Sequence, residues 1–384
     1  LNPHPIVIIG SGLAGYTAAR ELRRLDTGIP MQMISADHAG FYSKPMLSNA
    51  LASGRTPQVI LNADAEKMAG QLKMDIRPHT RVVALQPDAH RIVLQSGDTL
   101  RYGRLVLALG ADPIRLPLEG DGADAILSVN DLDDYRRLHN ALQGKREVAI
   151  LGAGLIGCEF ANDLAAAGYR VHLIDLAAQP LGRLLPPLGG AYLRNRLEAI
   201  GITFHLETTV RRMERAAECL LLTLDNGTAI HADVVLSAIG LRPRTALART
   251  AGIEVNRGIV VDRFLRTRYP DVYALGDCAE VEGRVLPFVM PIMHAARGLA
   301  ATLAHTPTPV RYPAMPVVVK TPACAAVVSP ADAHIPGEWS VEEGGDGVKA
   351  LFRDLEDRLL GYALLGAATG EKNQLSAQLP PVMA

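Results

Sequence analysis

The chain has 384 residues, with 39 Lys and Arg against 40 Asp and Glu and a formal net charge of −1. That length exceeds one ordinary core and points to about two to three domains, while the near-neutral balance gives no overall basic field for nucleic acid. Hydrophobic residues make up 48% and charged residues 21%, the composition of a soluble globular protein, and no uninterrupted apolar run reaches the ~20 residues of a membrane helix.

The opening Leu1-Asn-Pro-His-Pro-Ile leads almost directly into an apolar run, which leaves no room for a signal peptide and makes the cytoplasm the expected compartment. Ile6-Val-Ile-Ile-Gly10-Ser-Gly12-Leu13-Ala14-Gly15 then reads as a buried strand at 6–9 turning through G-x-G-x-x-G into a helix over 13–25. In such a turn the first glycine permits the bend and the second lets a pyrophosphate approach the backbone. The third lets helix and strand pack closely, with the diphosphate on the helix N-terminus. A strand at 31–35 follows, and Asp37 past its tip is the acid that would bond a ribose diol. A loop carries Phe41-Tyr-Ser-Lys44-Pro45-Met-Leu-Ser48, and short strands are expected at 81–85, which includes Val82, at 91–94 and at 99–101, with Gly97-Asp98 as turn material. Leu105-Val-Leu-Ala-Leu-Gly110-Ala-Asp-Pro113 is a buried strand closed by a Gly/Pro turn.

Leu116 to Arg146 is a Pro/Gly-rich crossing with a charged helix around Asp131 to Gln143. Val148-Ala-Ile-Leu-Gly152-Ala-Gly154-Leu155-Ile156-Gly157 is a second copy of the fingerprint, and Asp175, at the end of a strand over 170–174, is its acid. A carboxylate there accepts from a diol and repels a 2′-phosphate, and Leu176-Ala-Ala-Gln-Pro after it offers no arginine, so NADH is expected over NADPH. A helix at 189–200 and strands at 202–206, 219–224, 229–231 and 233–240 complete the unit. Its ending, Ala238-Ile-Gly240-Leu-Arg-Pro, repeats Leu107-Ala-Leu-Gly110-Ala-Asp-Pro, so the chain contains a duplicated architecture. Thr267 to Gly276-Asp277 is a further apolar strand, followed by Pro291 and a helix from Ile292 to Ala304. The tail reads as a small α+β unit with a strand at 317–320, hairpin material around 338–352 and a strand at 359–364.

The expected fold is therefore α/β, with two Rossmann-like dinucleotide-binding domains plus a small α+β C-terminal domain. The expected boundaries are 1–112 with 237–309 for the first domain, 113–236 for the second, and 310–384 for the third. Cys158, Cys219, Cys278 and Cys324 are widely separated, which excludes a C-x-x-C redox pair and a zinc-knuckle spacing, so no metal is expected. Cys158 and Cys278 read as small buried packing residues. Arg23-Arg24 and Arg211-Arg212 read as solvated faces.

The ordered motifs resemble the two-dinucleotide flavoprotein reductases, of glutathione-reductase-like fold, across nearly the whole chain. Tyr42-Ser-Lys-Pro-Met-Leu-Ser48, Gly152 to Asp163, and Val319-Lys-Thr-Pro-Ala-Cys324 look like the bacterial NADH:rubredoxin reductases. The resemblance implies FAD at Gly10, Gly12, Leu13, Ala14, Gly15 and Asp37, with Asp277 after Gly276 holding the ribityl chain. NADH falls at Gly152, Gly154, Leu155, Ile156, Gly157 and Asp175, and Pro45, Val82, Gly110 and Gly240 are cofactor-binding positions. His38 departs from a family tendency to carry a second acid. Lys44, by itself a solvated loop lysine, is implied to lie beside the flavin and to pair with Glu159, whose structural alternative is to serve the helix dipole from the first turn. Pro291 and Ile292 are an ordinary helix start that would also aim N–H groups at the flavin. Lys320 is an outward strand lysine, or a positive group near the flavin or on a docking patch for an acidic rubredoxin. The implied activity is NADH-dependent, FAD-mediated reduction of rubredoxin. A ferredoxin or other iron-sulfur acceptor and an NADH-responsive redox sensor are the alternatives, whereas an NADH oxidase is disfavoured because no cysteine lies around Lys44.

Overall fold

Each β-branched run becomes a strand covered on both faces. Ile6–Ile9 is fully buried and pairs in parallel with Met31–Ile34 on one side and Arg104–Leu107 on the other. Val272–Ala274 and Asp75–Arg77 form the edges of this five-stranded sheet. The helices Leu13–Leu25 and Val289–Leu303 pack together against it, and their apolar faces share its core. The computed structural model describes residues 4–332, 334–344 and 346–384; residues 1–3, on which the absence of a signal peptide partly rests, lie outside these.

The second fingerprint repeats the arrangement. Glu147–Leu151 lies between Arg170–Ile174 and Val234–Ser237, with Ile202–His205 at the edge, all parallel. Each unit also carries an antiparallel three-stranded meander, Val82–Gln86 to Thr99–Arg101 in the first and Val210–Ala216 to Ala229–Ala232 in the second. The repeated turn signals meet in space, for Ala111–Pro113 pairs antiparallel with Leu241–Pro243 where the chain crosses between the units.

Several boundaries differ from the sequence expectation. The helix expected at 189–200 is Pro187–Glu198, because a proline fits the first helical turn and the glycine at 201 stops continuation. The helix expected from Ile292 begins at Val289, and the run 233–240 is a strand only over Val234–Ser237. Helix Ala65–Leu72, capped by Asp64, went unread, as did strand Val210–Ala216. A bulge between Val210 and Arg212 shifts the inward positions there and breaks the period-two pattern that marks a strand.

The tail folds as a five-stranded antiparallel sheet in the order Val317–Val319, Ala326–Ser329, Leu359–Gly366, Gly347–Asp354, Gly337–Gly344, with the short helix Lys372–Ser376. Its inner face has no separate core. Val319, Ala326, Val328, Ala350 and Leu365 pack into the same cluster as Phe160 and Leu164 of helix Leu155–Ala166 and Leu193 and Leu197 of the next helix. Full burial of one such aromatic contributes roughly 1.5–3 kcal/mol, so this unit is fixed firmly over the second fingerprint. Among the described residues no helix is long and apolar enough to cross a membrane.

Candidate active site

Both fingerprint turns have the same internal logic. A side chain at Gly15 would meet the carbonyl oxygen of Gly10 at 1.9 Å, and one at Gly157 would meet that of Gly152 at 1.8 Å, so helix and turn pack too closely for any other residue. The middle glycines are different. A Cβ at Gly12 or Gly154 would meet nothing within 4 Å, so no protein atom calls for glycine there. Bare backbone over open space at a helix N-terminus fits a diphosphate. Neither helix has a side-chain cap, whereas Ala65–Leu72 and Leu132–Ala141 are capped by Asp64 and Asp131. Around the first turn Leu13 is partly exposed and Ala14 buried, and around the second Leu155 is partly exposed and Ile156 exposed.

The two acids are held differently. Ser11 Oγ, Ser35 Oγ and the Ala39 N–H all donate to Asp37 Oδ1, at 3.0, 2.5 and 2.8 Å, and Oδ2 receives none of these bonds. Burial opposes the Asp37 charge, but the bonds from Ser35, Ala39 and Ser11 prevail and hold the carboxyl below its usual range. His38 Nδ1 accepts the Gly40 N–H, so its ring is engaged in the turn. The His79 N–H donates to the Asp37 carbonyl, which sets the start of the Val82 strand beside this acid. Asp175 accepts from the Ala153 N–H at 2.5 Å and the Ala177 N–H at 2.7 Å, tying the second acid to its own glycine turn.

Gly276 lies against the first fingerprint, where a Cβ would come within 2.7 Å of Ala14 Cβ. Asp277 is thereby brought to the loop of Lys44. Lys44 Nζ donates to Asn130 Oδ1 at 2.8 Å and lies 3.9 Å from Asp277 Oδ2, with its side chain 36% exposed. Desolvation lowers the Lys44 pKa from its usual value, and Asp277 opposes that shift. Asn130, itself buried, donates to the Ala111 carbonyl, which fixes it to the crossover strand beside Gly110. Gly240 precedes the paired crossover strand. Pro291 and Ile292 are buried in the first turn of a helix that has no side-chain cap.

The implied Lys44–Glu159 pair is corrected by this geometry. Glu159 is 1% exposed and its partner is Lys320: Lys320 Nζ donates to Glu159 Oε2 at 2.5 Å and the Lys320 N–H to Oε1 at 3.0 Å. Ser48 Oγ donates to the same carboxylate at 2.5 Å, and Lys320 Nζ also reaches Ser48 Oγ and the Pro45 carbonyl, both at 2.8 Å. No hydrogen bond or ion pair joins Lys44 to Glu159 among the described residues. Lys320 therefore points inward and the outward strand reading fails, because a carboxylate this buried needs a partner. Glu159 is also the fifth residue of its helix, outside the first turn. Ser48, Asn130, Asn162 and Asp163 had no assigned role, and nothing local in the sequence marks their distant partners.

The thiols do not serve as a redox couple. All four cysteines are free; Cys158, Cys278 and Cys324 are buried, and burial pushes the Cys278 and Cys324 thiols up to about 11 and the Cys158 thiol higher.

Two dinucleotide turns, joined by a lysine-bearing loop and closed by a third unit, define a two-cofactor reductase. The chain belongs to the pyridine nucleotide-disulphide oxidoreductase family, whose pattern matches residues 4–300. Residues 309–379 match the rubredoxin binding C-terminal domain. It is 47% identical over 381 residues to the rubredoxin-NAD(+) reductase of Alcanivorax borkumensis, covering 99% of this chain and 100% of that protein. With the rubredoxin-NAD(+) reductase of Acinetobacter baylyi the identity is 49% over 386 residues, 98% of each chain. Among solved structures, a ferredoxin reductase from Rhodopseudomonas palustris superposes with a TM-score of 0.88 at 25% identity, covering 98% of this chain and 95% of that one.

Proposed function

We propose that this chain is an FAD-dependent NADH:rubredoxin reductase. The observation that carries the reading is the rubredoxin binding domain, matched at residues 309–379 and seated by Lys320 on buried Glu159, two residues past the second fingerprint. FAD would occupy the unit formed by 1–112 and 237–309, and NADH the unit at 113–236, with 310–384 placed to receive the acceptor. When bound, FAD accepts a two-electron hydride and releases electrons singly, so no cysteine pair is needed.

The protein's part is positioning and charge. Gly12 and Gly154 leave room for the diphosphates, and Asp37 and Asp175 accept from the riboses. Lys44 is the cation nearest Asp277, and Asn130 holds its ammonium in place, so that it can balance negative charge arriving on the ring. The helix start at Val289, which has no side-chain cap and reaches Pro291 and Ile292 within its first turn, offers the Val289 and Met290 N–H groups for the same purpose, Pro291 having none to give. Free cysteines fit a reducing compartment, and the cytoplasm is the location we assign.

The test is stopped-flow reduction of the purified yellow protein by NADH and NADPH, followed by turnover with rubredoxin, ferredoxins, oxygen and disulfides at matched concentrations. Rapid NADH reduction with preferred turnover on rubredoxin supports the reading. Preferred turnover on a ferredoxin replaces the acceptor, and fast flavin bleaching with negligible transfer to any acceptor favours a redox sensor.

A further inference from the structure

Helix Leu155–Ala166 begins at the second fingerprint and carries three polar side chains on one buried face. Glu159, Asn162 and Asp163 are only 1%, 4% and 4% exposed, at the i, i+3 and i+4 spacing that stacks side chains along a helix. Buried amides and carboxylates are costly unless bonded, and these three find partners outside their own unit. Asp163 Oδ2 accepts the Leu51 N–H at 2.8 Å and Oδ1 the Ala52 N–H at 3.1 Å, just past the turn Lys44–Asn49. Asn162 Oδ1 accepts the Ala323 N–H at 3.1 Å. That N–H lies in a turn closed by Cys324 N–H to Thr321 carbonyl and Thr321 hydroxyl to Cys324 carbonyl bonds, so it is presented rigidly. One helix face thus grips the lysine-bearing loop of the first unit and the turn after Lys320 in the third.

We propose that Asn162 and Asp163 are positioning residues for hydride transfer, setting how the nucleotide held by its diphosphate at Gly152–Gly157 presents its nicotinamide to the flavin beside Lys44. The inference rests on the reductase reading above. Neither residue lies in a fingerprint turn; each acts through the backbone it holds. The helix is a rigid lever, so loss of an anchor on its side shifts the glycine turn at its start relative to Lys44. Displacement of reacting atoms by about 1 Å can cost on the order of a hundredfold in rate.

The decisive variant is Asp163→Asn, which keeps the shape but turns an NH2 towards one of the two N–H donors. In the holoenzyme it should slow the limiting rate of flavin reduction at saturating NADH by about tenfold or more, while the NADH dissociation constant stays within about twofold. Oxidation of the pre-reduced flavin by ferricyanide should be unchanged. Independently of turnover, amide exchange at Leu51 and Ala52 should quicken by about tenfold. Asn162→Ala should act in the same direction at Ala323 and serves if Asp163→Asn fails to fold. A limiting rate within about twofold of the parent in both variants overturns the proposal, as does equal slowing of reduction and reoxidation. If the parent itself is not reduced by NADH, the reductase reading fails instead.

Discussion

Among the described residues Glu159 has one ion-pair partner, Lys320, and a double-mutant cycle can test that pairing. Removing one member of a fully buried pair costs about 3–5 kcal/mol because the other charge is left uncompensated. Lys320 is 29% exposed on its side chain and retains the Pro45 carbonyl and the Ser48 hydroxyl. Glu159→Gln should therefore cost less than the buried case, about 2 kcal/mol. Lys320→Met leaves a carboxylate only 2% exposed on its side chain with Ser48 and one backbone N–H, and should cost more, about 3 kcal/mol. The double variant should fall short of the sum by about 1–3 kcal/mol, whereas Lys44→Met and Glu159→Gln should add within about 0.5 kcal/mol. The assay is urea unfolding of the holoprotein followed by far-UV dichroism and FAD fluorescence, with both probes required to coincide. Lys320→Glu, which sets two carboxylates together, should lower turnover with rubredoxin and with a small artificial acceptor alike. Additivity for Lys320 with Glu159, together with coupling above about 1 kcal/mol for Lys44 with Glu159, would refute the observed pairing.

Asp175→Ala should reduce the NADH over NADPH preference by about tenfold or more, since the carboxylate that repels a 2′-phosphate is gone; it should also raise KM for NADH, because Ala153 and Ala177 lose their acceptor. An unchanged preference in kcat/KM removes Asp175 from nucleotide selection. Of the four thiols, partly exposed Cys219 should react first with a thiol reagent, leaving NADH oxidation intact; rapid loss of turnover on its modification would contradict a dithiol-free mechanism. His172 Nδ1 and His205 Nε2 lie 3.1 Å apart, and burial lowers both pKa values, opposed at His172 by Glu147. The folded state therefore binds fewer protons below about pH 6.5, so stability present above that value is lost as pH falls through the lowered pKa values. His205→Asn should flatten the fall in melting temperature between about pH 5 and 7, and an unaltered slope would exclude the pair as its source.

What could be read from the sequence was local. The fingerprints carry their own geometry, since Gly15 and Gly157 must be glycine to clear the carbonyls of Gly10 and Gly152, and the acids follow within one strand. The identity of Glu159's partner is not local. Lys44 and Lys320 are both plausible cations by type, and the choice depends on how the third unit docks, through Phe160 and Leu164 packing with Val319 and Leu365. That docking is an apolar surface match, to which a motif is blind. The bulge at Val210–Arg212 hid a strand for a related reason, because a one-residue shift erases the alternation while preserving the hydrogen bonding.

The same helix explains why the corrected pair matters to the chemistry. Its N-terminus is left open at Gly154, its middle is committed to Lys320 and Ser48 by Glu159, and its last turns to Leu51, Ala52 and Ala323 by Asp163 and Asn162. Lys44 is thus freed from Glu159 to face Asp277 and Asn130. One lysine closes the third unit onto helix Leu155–Ala166, and the other remains 36% exposed on its side chain beside Asp277. A partly exposed ammonium held by a neutral amide can change its partner when negative charge arrives, whereas one fixed in a buried carboxylate pair cannot do so without leaving that carboxylate uncompensated. The division of labour between the two lysines therefore keeps the closure of the third unit rigid while leaving beside Asp277 a cation that, on the reductase reading proposed above, can respond to charge arriving on the flavin.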